Sequence, residues 1–269
     1  MSFFHGRGDA FEPSELTRGP WDPDSQHAGP PAALLGRAIE RCGDSTGKHV
    51  GRITCEVLRP VPMTTLTVSA RIARPGRSVE LVEASLADAE GEVMRATGWR
   101  LKTEPVELEP APAGEPPAHR PGDGSPKDFF PTGVDVGYHT AMEYRFVTGA
   151  FLELGPAVVW MRMLHPLVEG EEPTPLQRVL IAADSGNGVS AALDYRRYVF
   201  INTDLTVHLH RGPETEWVCM EAATRLDEAG VGMSDTLLWD ERGRIGRGVQ
   251  TLLVRRRVRL TEDEEQGAT

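Results

Sequence analysis

Cysteine is scarce, basic residues are outnumbered and no stretch stays apolar for long; each shortage removes a class of protein. The three cysteines, Cys42, Cys55 and Cys219, are scattered and odd in number. That fits neither a disulfide framework nor a zinc site and leaves buried structural thiols. Histidines are equally unclustered, with no His-Glu-x-x-His pattern, so no metal is expected. Lys and Arg number 29 against 40 Asp and Glu, a formal net charge of −11. Nucleic-acid phosphates need a basic surface, so no nucleic acid is expected as a partner, whereas a small anionic ligand needs only a few local donors. No apolar run reaches the roughly 18 residues of a membrane span. Residues 1–9 lack the basic-then-apolar layout of a signal peptide, which predicts a cytoplasmic protein.

What is there suffices for a packed core, with 39% hydrophobic and 26% charged residues, close to the globular average. Residues 104–126 carry Pro105, Pro110, Pro112, Pro116, Pro117, Pro121 and Pro126. Such a segment cannot hold a regular element and reads as an extended linker. The boundaries that follow are 1–103, a linker over 104–130, a second unit over 131–260, and an acidic tail over 261–269 expected to be disordered.

The two units share an order of elements. In the first, a helical run over 32–42 follows Pro31 and precedes strand-like runs at 52–58, 66–73, 78–88 and 92–102. In the second, a helical region over 175–193 precedes runs at 198–210, 216–226, 231–239 and 244–257, with leading strands at 142–147 and 157–164. Arg59 and Arg211, Gly91 and Gly243, and Gly36 and Gly188 each lie 152 residues apart. Three matches at one offset indicate an internal duplication. The repeated unit is a long helix followed by an antiparallel meander, with one or two strands before the helix, and a second copy would cover its open edge. Over 202–210 the alternation puts Thr203, Leu205, Val207 and Leu209 on one face and Asn202, Asp204, Thr206, His208 and His210 on the polar other.

From about Trp21 to Arg257 the chain resembles the acyl-CoA thioesterase II family, the double-hotdog thioesterases. The resemblance rests on residues 26–35 (Gln-His-Ala-Gly-Pro-Pro-Ala-Ala-Leu-Leu), Leu58-Arg59-Pro60, Val159-Trp160-Met161-Arg162, Ala182-Ala183-Asp184, residues 204–211 and Gly248-Val249-Gln250. It implies an α+β double hotdog, two tandem helix-wrapped antiparallel sheets joined by the Pro-rich linker. It also implies hydrolysis of an acyl-CoA or similar thioester without a cofactor, and association into homo-oligomers. Family members hold a water with an Asp, a Gln and a Thr or Ser. Carried over, these are Asp184, Gln250 and Asn202, the last a departure that puts an amide where a hydroxyl is usual. Thr203 and Thr206 are the neighbouring hydroxyls.

Each candidate has a plainer reading. Asp184 meets Gly186 and Gly188, which should break the helix and expose N–H groups for an oxyanion; alternatively it is a helix N-cap. Gln250 holds a water or thioester oxygen, or lies on the solvent face of its strand. His27 and Gly29, just before a helix start, suit a carbonyl or anion, so they join Gly186, Gly188, Thr203 and Thr206 as substrate-contact candidates. Asp24 with His27 would make an acid–base pair of the hydratase kind, but the Asp-x-Asn-Pro-x-His pattern is absent. Arg255, Arg256 and Arg257 suit CoA phosphates or are simply solvated. The expected function is thioester hydrolysis by an Asp-activated water, with a noncatalytic acyl-CoA-binding or lipid-binding hotdog protein and a hotdog hydratase as the alternatives.

Overall fold

Pro30 and Pro31 lie inside the first helix rather than ahead of it. In the computed structural model, which describes residues 1–110 and 114–257, α1 spans Gly29–Arg41, three residues earlier than the expected start. Proline lacks the N–H that would go unpaired in a first turn, so the two prolines fit there at little cost. Ahead of α1 lie β1 (Phe4–Arg7) and β2 (Ala10–Pro13), and after it β3 (Lys48–Val57), β4 (Leu66–Arg74), β5 (Val79–Asp88) and β6 (Gly91–Lys102). The second half contributes α2 (Tyr138–Ala141), β7 (Met142–Thr148), β8 (Ala157–Met163), α3 (Pro175–Ala183) and α4 (Gly186–Val189). It continues with β9 (Tyr198–Asn202), β10 (Asp204–Leu209), β11 (Val218–Leu226), β12 (Val231–Asp240) and β13 (Gly243–Arg256). Of the linker, residues Pro121–Asp123 form a short 3-10 turn and Ser125 bridges Phe146. The expected tail lies outside the described residues.

All strands belong to one antiparallel sheet, in the order β1-β2-β4-β5-β6-β3-β10-β13-β12-β11-β8-β7, with β9 beside β13. The second six mirror the first six across the β3–β10 pair. At that junction Thr54 faces Thr206, and these two are each other's equivalents at the 152-residue offset. The pseudo-twofold axis therefore passes between them. The duplication reaches the ion pairs: Arg59 binds Asp88 and the Gly91 carbonyl, as Arg211 binds Asp240 and the Gly243 carbonyl. The fold is the α+β double hotdog expected. No helix among the described residues is long and apolar enough to cross a membrane.

Helix α1 packs on β3 to β6, α3 packs on β8, β10 and β11, and the two helices pack on each other. Their approach is close at Gly36, where a Cβ would come within 2.4 Å of a Leu180 methyl. Gly36 is thus mid-helix, whereas Gly188 sits in α4 beyond the end of α3. That glycine match is a coincidence of spacing, because the helix and the strands that follow it are joined by loops of different length in the two halves. Two further expectations change. The single helix over 175–193 is α3 and α4, interrupted at Asp184-Ser185, and the single strand over 198–210 is β9 and β10, broken at Thr203.

Candidate active site

The break at Thr203 decides which face Asn202 occupies. Asn202 pairs with Leu252, but Thr206 pairs with Val249, so the register slips by one residue between them. A bulge of this kind re-aims side chains. It moves Asn202 off the polar face that strict alternation assigns it and onto the inner face, beside the buried Gln250 and Leu252. Thr206 stays on the opposite face, with its hydroxyl 3.2 Å from that of Thr54. The bulge is common to both halves: β3 slips against β6 between Val50 and Arg52.

Asp184 caps the C-terminus of α3, with helical φ and ψ; it is not the N-cap of the plainer reading, since Ser185 precedes α4. A carboxylate at a helix C-terminus opposes the macrodipole, and this one is only 4% exposed. Side chains from three other segments compensate it. Asn202 Nδ2 donates to Oδ1 at 2.8 Å, and Gln250 Nε2 lies 3.2 Å from Oδ1 and 3.0 Å from the Asp184 carbonyl. On the other oxygen, Oδ2, stands His27 Nδ1 at 3.0 Å. Gln250 is 1% exposed on the inner face of β13 and not toward solvent. Its Oε1 accepts the Asn187 N–H at 3.2 Å, so that amide, expected to be free for an oxyanion, is already paired.

His27 reaches Asp184 because its loop is tied at both ends. Its N–H donates to the Thr17 carbonyl at 2.8 Å, and the preceding Gln26 bonds the carbonyls of Val61 and Pro62, each at 2.7 Å. Gly29 lets the loop approach α3, since a Cβ there would lie 2.7 Å from the Ile181 carbonyl oxygen. The imidazole stacks on Tyr138, centroids 3.7 Å apart and planes at 10°. Tyr138 in turn donates to the Ile181 carbonyl at 2.6 Å and sits 2.9 Å from the Ser185 hydroxyl. Burial pushes the Tyr138 phenol well up, with the Asp184 charge adding to it, so the ring stays neutral. Burial and then the same charge also push up the Cys55 thiol. Tyr138 was not singled out from sequence; an isolated tyrosine after a linker carries no signal.

His27, Asp184 and Asn202 border a cavity of about 540 Å³, within the range of small-molecule sites. Its wall includes Trp21, Val57, Leu58, Val199, Phe200 and Ile201, with Arg59 and Arg257 beside them. Thr203 lines it too, but its hydroxyl lies 3.4 Å from the Thr251 carbonyl and does not reach Asp184. Gly186 packs against Gln250 and Thr236, where a Cβ would come within 2.8 Å of the Thr236 hydroxyl, and Gly188 borders a small aromatic recess with Trp21 and Phe130. Asp24 makes no pair with His27, whose carboxylate partner is Asp184. A hollow of about 600 Å³ elsewhere on the sheet is lined by Glu56, Arg71, Glu83 and Arg95, which pair among themselves, and by none of the residues around Asp184.

The first half has the same frame without an Asp, Gln or Asn at the corresponding positions, and a buried Arg100–Glu80 pair lies close by. At the strand offset, Gln250 corresponds to Gly98 and Asn202 to Val50. Over Gly98 lies Ile39 of α1, within 2.8 Å of where a Cβ would be. An apolar side chain thus fills the position that Asp184 has over Gln250, and among the described residues that polar centre stands in the second half alone.

Comparison with known proteins bears on the family and the fold. The family profile described as the acyl-CoA thioesterase N-terminal domain matches residues 17–101, and the C-terminal domain profile matches residues 109–254. A putative thioesterase II from Thermobifida fusca is 15% identical and covers 94% of each chain, with a TM-score of 0.71. A conserved hot dog fold protein of unknown function from Alicyclobacillus acidocaldarius is 14% identical over 95% of this chain and 96% of that one, TM-score 0.73. The acyl-CoA thioesterase II TesB2 from Mycobacterium marinum is 12% identical over 96% of each, TM-score 0.65. No curated protein sequence matches. The two domain profiles lie in series along almost the whole double hotdog, and the chain belongs to the acyl-CoA thioesterase family.

Proposed function

We propose that the chain hydrolyses an acyl thioester of CoA or a similar carrier to the free acid and thiol, with the water held at the Asp184 centre. The observation that carries this is the buried Asp184 carboxylate, placed against the α3 dipole and held by Asn202, Gln250 and His27 beside an apolar cavity. A fold gains nothing in stability from a charge in that place, so function is the better account of it. The apolar wall of Val57, Leu58, Val199 and Phe200 suits an acyl or pantetheine chain. Fusion of the halves already pairs β3 with β10, and further association into oligomers would use other surfaces.

One observation favours a second reading. Asn202 donates to Asp184 where the family has a hydroxyl, so the centre could bind an acyl thioester without cleaving it. Thiol release from short, medium, long and aromatic acyl-CoAs separates the two: turnover supports hydrolysis, and binding without release supports the noncatalytic reading.

The groove also has a cationic end. Arg257 lines it, Arg255 and Arg256 lie on the end of β13 paired with β9, and Arg196 and Arg197 immediately precede β9, all exposed. Arginine suits phosphate oxygens. Arg257→Ala is expected to raise KM for an acyl-CoA by roughly three-fold, the scale of one exposed ion pair, and to leave KM for the matching acyl-pantetheine unchanged. Equal KM changes for both thioesters would place the phosphates elsewhere.

A further inference from the structure

The geometry points to His27, not Asp184, as the group that takes the proton from the attacking water; this rests on the thioesterase reading above. Asp184 has little capacity left for a water. Its Oδ1 accepts from Asn202 and Gln250, and its Oδ2 faces His27 Nδ1 at 3.0 Å. Two amide donors on one oxygen favour the carboxylate form of Asp184. An ionised oxygen at this distance requires a proton on Nδ1.

The Gly29 N–H also lies 3.1 Å from that nitrogen, and a ring nitrogen cannot both donate to the carboxylate and accept from the amide. The charge-assisted bond is roughly twice as strong as a neutral one, so Nδ1 donates to Asp184. The neutral ring then carries its lone pair on Nε2. That nitrogen has no hydrogen-bond partner among the described residues, and the ring borders the cavity. Stacking on Tyr138 fixes the ring plane. Asp184 holds the tautomer and stabilises the imidazolium, the division of labour seen wherever a carboxylate backs a histidine.

The step balances without a further reactant. Water oxygen bonds the thioester carbonyl carbon as Nε2 takes its proton. The tetrahedral intermediate then expels the thiolate as the C–S bond breaks, and the Nε2 proton passes to sulfur. The products are the acid and the thiol. The charged and titratable groups around the ring are Asp184 at the end of α3 and Tyr138 on α2, with Asp22, Arg59, Tyr198 and Arg257 on the cavity wall; Cys55 on β3 feels the Asp184 charge.

The test is the pH profile of kcat for the wild type, His27→Asn and His27→Ala. Asparagine can still donate to Asp184 but offers no base. We expect His27→Asn to lose roughly 10²-fold or more in kcat, with KM within about threefold and the rising limb of the profile gone. Added imidazole should restore part of the His27→Ala rate. A His27→Asn enzyme that keeps kcat within threefold and the same rising limb would overturn the proposal and return the base to Asp184. A wild type that releases no thiol from any thioester sinks the functional reading itself, and the proposal with it. Loss confined to the His27 variants leaves the functional reading intact.

Discussion

Asp184→Asn should abolish thiol release, with a fall in kcat of roughly 10²–10⁴-fold, while the protein folds as well as before or better. The two halves of this expectation have one cause. In the native chain the carboxylate is buried at the C-terminus of α3, against the dipole; Asn202 and Gln250 donate to it, and His27 Nδ1 lies 3.0 Å from its other oxygen. An amide in its place removes the charge that sets the His27 tautomer or activates the water, so chemistry suffers. It also removes an ion that the helix end disfavours by about 0.3–1 kcal/mol, so stability does not suffer in proportion. Thiol release and a thermal melt on the same sample check both. A melting temperature that collapses together with the activity would make Asp184 a structural residue and remove it from the proposed chemistry.

The largest loss of stability should come from Arg211→Ala. Asp240 is fully buried, and Arg211 meets it with two bonds of 2.6 Å. Burial works to raise the Asp240 pKa, but Arg211 and the N–H groups of Arg242 and Gly243 outweigh it and hold the carboxyl below its usual range. A depressed carboxyl stabilises the fold above its unfolded pKa and loses that contribution as pH falls through the folded one. Removing Arg211 leaves a buried carboxylate without its counter-ion, at about 3 kcal/mol, or roughly 6–12 °C in Tm. The acid side of the stability profile should flatten in the variant. Arg59→Ala, the same change in the other copy, should shift Tm visibly less, because Asp88 and Arg59 are more exposed. Equal shifts would show that burial does not set the difference. Differential scanning calorimetry at neutral and acid pH reads all three.

Much of the fold was legible because its signals are local. Alternation marked the strands to within a few residues. The Arg59 and Arg211 landmarks and the Gly91 and Gly243 turns placed the duplication correctly, since each arginine serves the turn of its own copy. The Gly36–Gly188 match misled, because coincidence of spacing says nothing about which turn of which helix a glycine occupies. Gln250 shows the limit from the other side: one polar residue in an apolar strand reads equally as solvent-facing or functional, and only packing under α3 and α4 decides.

Element order, the duplication and the residue types from which a site could be built are all written in local patterns, because hydrophobic periodicity and turn chemistry act over a few residues. Tertiary structure alone decided which of them meet. A one-residue bulge at Thr203 turns Asn202 to the inner face, and alternation cannot foresee a slip that no single side chain encodes. His27 and Asp184 come from opposite halves of the chain and meet because α1 packs against α3 and Gly29 admits the loop. Such a contact belongs to the packing of whole elements, which no local pattern records.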